Sequence, residues 1–131
     1  MIYLLDTNVI SDLYKENVRV EAQIRTAKTQ LHTLAICQPV YYEIMRGLLK
    51  KKATAQRKII QGRILPRFTW IDLTDADWMK AAEFWADSVN KGKQLSDVDL
   101  LLAAMTHRLN ATLISSDGDF DALPITRVDW R

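Results

Sequence analysis

MIYLLDTN, from Met1 to Asn8, is the stretch whose reading decides the fold. Ile2 to Leu5 are four apolar residues with no polar alternation. That is the pattern of a short strand buried on both faces, as in a parallel sheet. The run stops at Asp6, and Thr7 or Asn8 is suited to cap a helix reaching about Tyr14. A buried strand that passes through an acid straight into a helix is the opening of an α/β repeat.

Working outward, the same alternation continues. A polar helix is expected over about 18–30 and a strand from His32 to Ile36. Pro39 suits the first residue of a helix over about 39–52. A further helix is expected over 53–64, ending near Pro66, then a strand from Phe68 to Ile71. Thr74 and Asp77 form a capping box for a helix to about Asn90, with Gly92 as its stop. Ser96-x-x-Asp99 caps a helix to about Leu109, Thr112 to Ile114 reads as a strand, and Val128 falls in a last short one. The class is therefore α/β: a central, mostly parallel sheet with helices on both faces. A chain of 131 residues without repeats or linkers suits one domain spanning 1–131.

Composition narrows the classes of function. The chain is 48% hydrophobic with four Gly, three Pro and four Trp, as expected of a packed core and not of a disordered tail. Its one cysteine, Cys37, allows no internal disulfide, which fits a reducing compartment. The N-terminal apolar run is too short and lacks the basic flank of a signal peptide, and no other run reaches spanning length. The expected location is cytoplasmic, with no membrane association. A net charge of +2 says little, but its distribution says more: between Ile44 and Ile71 there are eight basic residues and no acid. Arg46, Lys50, Lys51 and Lys52 head that run as candidates for contacting a nucleic-acid backbone. A solvated helix face would look the same.

Four acids stand where the surrounding pattern does not need one. Asp6 closes the first strand, Glu43 interrupts an apolar and basic helix, Asp99 opens Leu-Leu-Leu-Ala-Ala, and Asp117 follows the strand ending at Ile114. In a parallel α/β sheet, strand C-termini and helix N-termini share one edge, where sites form. Gly47, four residues beyond Glu43, shares its helix face and leaves room for a ligand. Three of the four also have a structural explanation, Asp6 as a cap, Asp99 as the far half of the Ser96 box and Asp117 as a turn, whereas Glu43 has the weakest. Four carboxylates in one pocket repel, and a hard divalent cation compensates them. Oxygen-only donors favour Mg²⁺ or Mn²⁺ over Zn²⁺, and such a site suits phosphodiester hydrolysis.

Asp6-Thr7-Asn8, Tyr42-Glu43-Ile44-x-x-Gly47, Asp99-Leu-Leu-Leu-Ala-Ala104 and Leu113-Ile-Ser-Ser-Asp117-Gly-Asp119-Phe120 resemble, in order, the motifs of PIN-domain ribonucleases. The likeness is strongest to the VapC-type toxins of type II toxin–antitoxin systems and runs from Ile2 to about Trp130. It implies a PIN-like three-layer sandwich and an Mg²⁺- or Mn²⁺-dependent endoribonuclease. The implied catalytic acids are Asp6, Glu43, Asp99 and Asp117. Asp6 and Asp99 would be the core metal ligands, with Glu43 and Asp117 as further candidates. Ser115 stands where the family has an ordering hydroxyl; Asn8, Asp97 and Asp119 are candidates for the surrounding shell. Many relatives carry Asn at the position of Asp117. Implied partners are an RNA substrate, a cognate antitoxin and a second copy of the chain.

Asp97 rivals Asp99 as a ligand. Two residues apart on a helix, they point roughly 200° from each other, so both do not serve; the motif selects Asp99. His32, His107 and Cys37 read as structural. Trp78 and Trp85, seven apart, share a helix face suited to core or subunit packing. Competing classes are a non-catalytic binding module of the same fold, a free-standing PIN nuclease, and a phosphatase with an aspartyl nucleophile. The acidic set argues against the first. The last needs a second acid where this chain has Asn8.

Overall fold

The computed structural model describes residues 1–131. Five parallel strands form one sheet in the order β3-β2-β1-β4-β5: β1 Ile2–Leu5, β2 Thr33–Cys37, β3 Thr69–Ile71, β4 Thr112–Ile114 and β5 Thr126–Val128. Between β1 and β2 lie α1 (Thr7–Tyr14) and α2 (Val18–Thr29). Between β2 and β3 lie α3 (Gln38–Lys50) and α4 (Thr54–Ile59). Between β3 and β4 lie α5 (Asp75–Asn90) and α6 (Asp97–Arg108). Right-handed crossovers put α1 to α4 on one face of such a sheet and α5 with α6 on the other. No helix is long and apolar enough to cross a membrane.

Strand order reverses beside β1, because the chain steps from β1 to β2 and β3 and then returns to β4 on the opposite flank. Such a switch point opens a crevice at the strands' carboxyl ends. Register decides what meets there. Leu5 pairs with Ile114, and Leu4 with Ala35, so Asp6 stands level with Ser115 and close to the β2–α3 junction. The Asp6 amide donates to the Ile114 carbonyl at 3.0 Å, extending the ladder by one bond.

A cluster of 32 buried apolar residues fills the interior. α6 runs through it: from Val98 to Thr106 every residue is buried except Asp99. A helix apolar nearly all round belongs inside a fold, so Asp99, the one acid within that buried stretch, is an exception that packing does not explain.

Several boundaries differ from the sequence reading, for local reasons. α1 is capped by Asp6 itself, whose carboxylate accepts from the Thr7 amide at 2.7 Å; Thr7 and Asn8 lie inside the helix. β2 is shifted by one residue to Thr33–Cys37, and Pro39 is the second residue of α3. The helix expected over 53–64 is α-helical only to Ile59; a π turn follows over Ile60–Ile64 and a 3₁₀ turn over Leu65–Arg67. Widening the turn there allows Ile60 and Ile64 both to reach the core. The box of Thr74 and Asp77 and the Ser96 cap form as read, and Gly92 takes the left-handed conformation (φ 74°) just past α5.

Candidate active site

Asp6, Glu43, Asp99 and Asp117 occupy the crevice at the β1–β4 switch point, each delivered by a different element. Asp6 follows β1, and Asp117 lies in the loop after β4. Glu43 lies in the second turn of α3 and Asp99 in the first turn of α6. They are near enough for charge to couple them. Burial pushes the Asp6 carboxyl above the usual range; bonds from Ser115 and Thr7 oppose this, and the charges of Glu43 and Asp117 add to it. Burial likewise pushes Asp99 up to about 6, opposed by Ser96 and reinforced by the charges of Asp6, Glu43 and Asp117.

Neutral hydrogen bonds reach three of the four carboxylates, those of Asp6, Glu43 and Asp117. Ser115 Oγ donates to Asp6 Oδ2 at 2.7 Å and accepts from Asn8 Nδ2 at 3.2 Å and from the Asp117 amide at 3.0 Å. Asn8 Nδ2 also reaches Asp6 Oδ2 at 3.2 Å, while Asn8 Oδ1 accepts from the Ser116 amide at 3.3 Å. One hydroxyl and one amide thus lock the β1 end to the β4 loop. Asp117 Oδ1 accepts from the Asp119 amide at 2.9 Å and caps the 3₁₀ turn that follows. Glu43 Oε1 accepts from Thr7 Oγ1 at 2.6 Å, tying α3 to α1.

The structure sorts the surrounding candidates. Asn8 and Ser115 are in direct contact with Asp6. Asp119 is exposed and contributes its backbone amide. Asp97 is the exposed first residue of α6 and lines a neighbouring pocket with Trp78. Arg46 stands 3.7 Å from Glu43 Oε2, with its guanidinium 5.1 Å from the Tyr42 ring centre. Lys51 lines a cleft of about 150 Å³ with Thr7, Glu43 and Gly47. Lys50 and Lys52 are exposed, and neither is among that cleft's lining. A Cβ built on Gly47 meets nothing within 4 Å, so the position borders open space, as expected of room beside Glu43. His32 packs edge-on against Tyr3, and His107 against Phe84.

Two contributors are invisible to pattern reading. Thr7 reads as a cap in sequence, but its hydroxyl orients Glu43. Arg127 forks onto Asp121 at 2.9 and 2.8 Å and donates to the Ser115 carbonyl at 3.0 Å. It thereby pins the loop that carries Ser115 and Asp117. A lone Arg in a short edge strand carries no sequence signal for that role.

The donor set fits a hard cation. All four groups are carboxylates, and the nearby Cys37 thiol is pushed up to about 12 by burial, so it offers no thiolate. No three His, Cys, Asp or Glu side chains sit close enough together to enclose an ion by themselves. Mg²⁺ commonly binds proteins through one or two carboxylates with water completing its shell.

A parallel α/β sandwich with this acidic crevice defines a class. The PIN-domain sequence profile matches residues 3–125, and the chain belongs to the PIN-domain family. Ribonuclease VapC2 of Rickettsia felis is 28% identical over 132 residues, covering 95% of this chain and 93% of that one. The crystal structure of VapBC2 from Rickettsia felis, bound to a DNA fragment from their promoter, has a chain that superposes with a TM-score of 0.91. It is 25% identical, with both chains fully covered. DNA-bound VapBC from Salmonella typhimurium, 17% identical over 100% of this chain and 99% of that one, shares the fold with a TM-score of 0.87.

Proposed function

We propose that this chain is a divalent-metal-dependent endoribonuclease, one PIN-like domain over residues 1–131, that acts as the growth-inhibiting toxin of a toxin–antitoxin pair. The observation that carries the reading is the acidic crevice, in which Glu43 alone is ion-paired, to Arg46 at 3.7 Å. Asp6 is 4% exposed with no cationic partner, and burial, reinforced by the charges of the neighbouring acids, pushes both it and Asp99 upward in pKa. A binding module gains nothing from such an arrangement. The toxin role is supported by the likeness to ribonuclease VapC2 and to the toxin chains of VapBC complexes.

Asp6 and Asp99 would hold Mg²⁺ or Mn²⁺, with Glu43 and Asp117 flanking it. When bound, the ion supplies an activated water and stabilises charge on the phosphate and leaving oxygen. The protein's part is preorganisation. Ser115 and Asn8 fix the Asp6 carboxylate, Thr7 fixes Glu43, and the Ser96 cap sets the start of the helix that bears Asp99. Arg46 and Lys51, at the rim beside Glu43, attract the RNA backbone, with Lys50 and Lys52 extending the field along the end of α3.

The partners are an RNA substrate, a cognate antitoxin and a second copy of the chain. Trp85, Met79 and Val89 on α5 are exposed and suited to subunit contact. The location is cytoplasmic. Purified protein is expected to cut RNA internally with Mg²⁺ or Mn²⁺ and to stop when the metal is chelated. Expression without a partner is expected to arrest bacterial growth, and Glu43→Gln to lift the arrest. RNA cleavage at the parent rate by Asp99→Asn would overturn the assignment. Harmless expression of soluble, active protein would remove the toxin role alone.

A further inference from the structure

Beside the acidic crevice lies a pocket of about 580 Å³, between the start of α3, Leu73 ahead of α5 and the start of α6. It is joined to the crevice by sequence neighbours on two helices. Tyr42 lines the pocket and Glu43 the crevice; Asp97 lines the pocket and Asp99 the crevice. Arg46 spans both, lining the pocket while standing 3.7 Å from Glu43. A strand of RNA whose phosphate sits among the acids therefore has this pocket within reach of an adjoining base.

The lining suits a base. Tyr42 and Trp78 are 58% and 57% exposed, which is costly for aromatic rings unless they meet a partner; flat faces next to a phosphate site are what unstacked bases rest on. The polar groups are few and of defined character. Asp97 has no hydrogen-bond or ion-pair partner and offers two acceptor oxygens. Gln38 uses its Oε1 to accept from the Leu73 amide at 2.9 Å, which leaves its NH₂ to donate. Leu73, Val98 and Leu101 supply the apolar remainder.

We propose that this pocket seats an unpaired nucleobase next to the phosphate to be cut, resting on Tyr42 and Trp78, and that Asp97 and Gln38 select guanine. The choice follows from complementarity of donors and acceptors. Guanine alone presents two adjacent N–H donors, N1–H and N2–H₂, beside the O6 acceptor. A carboxylate accepts the donor pair and an amide NH₂ serves O6. Adenine has no N–H at N1. Uracil flanks its single N–H with two carbonyls that a carboxylate repels. Cytosine offers one exocyclic donor beside an acceptor nitrogen. The proposal rests on the nuclease reading for the phosphate's position, but base selection is measurable without cleavage.

The test uses the full chain and four trinucleotides, U-G-U, U-A-U, U-C-U and U-U-U, with Ca²⁺ in place of Mg²⁺, titrated by NMR or calorimetry. U-G-U is expected to bind about tenfold more tightly than the others, the value of one bidentate base contact. Asp97→Asn should bring U-G-U close to the other three while leaving U-U-U unchanged. Trp78→Ala should weaken all four by about tenfold through lost stacking. Equal binding of the four by the parent chain, or a guanine preference untouched by Asp97→Asn, overturns the proposal. So does loss of all binding at concentrations where the chain dimerises, which would give the pocket to a second copy. RNA cleavage in Mg²⁺, measured alongside, keeps the two readings apart. Guanine binding without cleavage sinks only the nuclease assignment. Cleavage whose base preference ignores Asp97 and Trp78 sinks only the pocket.

Discussion

Three aspartates are buried in this protein, and they fall into two kinds. Asp77 is fully buried and Asp12 nearly so, and each meets an arginine. Arg108 Nε bonds Asp77 Oδ1 at 2.8 Å, and Arg131 forks onto Asp12 at 2.8 and 3.1 Å. Asp6 is as deeply placed but meets a hydroxyl, an amide side chain and one backbone N–H, all uncharged. The electrostatic outcomes are opposite. Burial raises the Asp77 carboxyl, but Arg108 and Thr74 outweigh it and the net position is below the ordinary range. For Asp6 burial wins. A buried acid with a cation of its own has its charge balanced inside the fold; a buried acid among other acids does not, which is the arrangement that suits a cation from outside.

The strongest way to break this contrast is Asp6→Asn. Asn keeps the N-cap, so the fold should persist, while RNA cleavage should fall by about 10³-fold. The metal-free melting temperature should hold or rise, since one repelling charge is gone. Cleavage near the parent rate, or a collapsed fold, would place Asp6 with Asp12 and Asp77 as a structural acid.

Arg108→Ala should do the reverse. It leaves Asp77 buried without its cation and should cost about 3 kcal/mol of stability by denaturant titration, with cleavage per folded molecule unchanged. A change below about 0.5 kcal/mol would mean that the Thr74 contacts alone satisfy Asp77.

Neutralising Lys50, Lys51 and Lys52 together to Gln should weaken RNA binding by about tenfold at moderate salt and flatten its salt dependence, with the cut site unchanged. Binding across a salt series, with Ca²⁺ replacing Mg²⁺, reads both. Of the three, Lys51 lines the cleft beside Glu43, so Lys51→Gln should carry most of the loss. Equal slopes for parent and triple variant would make the run a solvated helix face.

The smallest effect sharpens the comparison through pH. Asp99 titrates higher in the folded chain than the ordinary 3.8, at about 6. The folded state therefore holds its proton more tightly. The stability this contributes is complete below about pH 4 and is lost as pH rises through 6. Because the group is partly solvated, about 1 kcal/mol is expected in the metal-free protein. Asp77, shifted downward, has the opposite sign: its contribution is present above 3.8 and is lost as pH falls below that. Melting temperatures from pH 5 to 7.5 should decline for the parent without metal and flatten for Asp99→Asn. An unchanged slope in that variant would separate Asp99 from the coupled set.

Much of this was legible in one dimension, and the reason is the range of the interactions. The unbroken apolar run Ile2–Leu5, the capping pattern at Thr74 and Asp77, and the Ser96 cap are signals within a few residues, set by backbone hydrogen bonding and side-chain periodicity. They placed the elements, and with them the parallel class and the four acids at one edge. Boundaries slipped where neighbours in space outweighed local preference. Asp6 is the cap, and the Thr7 hydroxyl instead donates to Glu43, 36 residues away. The expected helix over 53–64 widened into a π turn to bury Ile60 and Ile64.

What only tertiary structure decided is which charges meet. In sequence nothing ranks Asp6, Asp12 and Asp77: Asp6 caps α1, Asp12 lies within that helix, and Asp77 lies in the first turn of α5. Their fates depend on Arg131, 119 residues from Asp12, and Arg108, 31 residues from Asp77. Arg127 secures the loop bearing Ser115 and Asp117 from a strand beyond it, and Asp97 and Asp99, two residues apart, face different surroundings because a helix turns them to different sides. Strand register and sheet order bring these groups together, and both are set by the packing of the whole core, which no local pattern encodes.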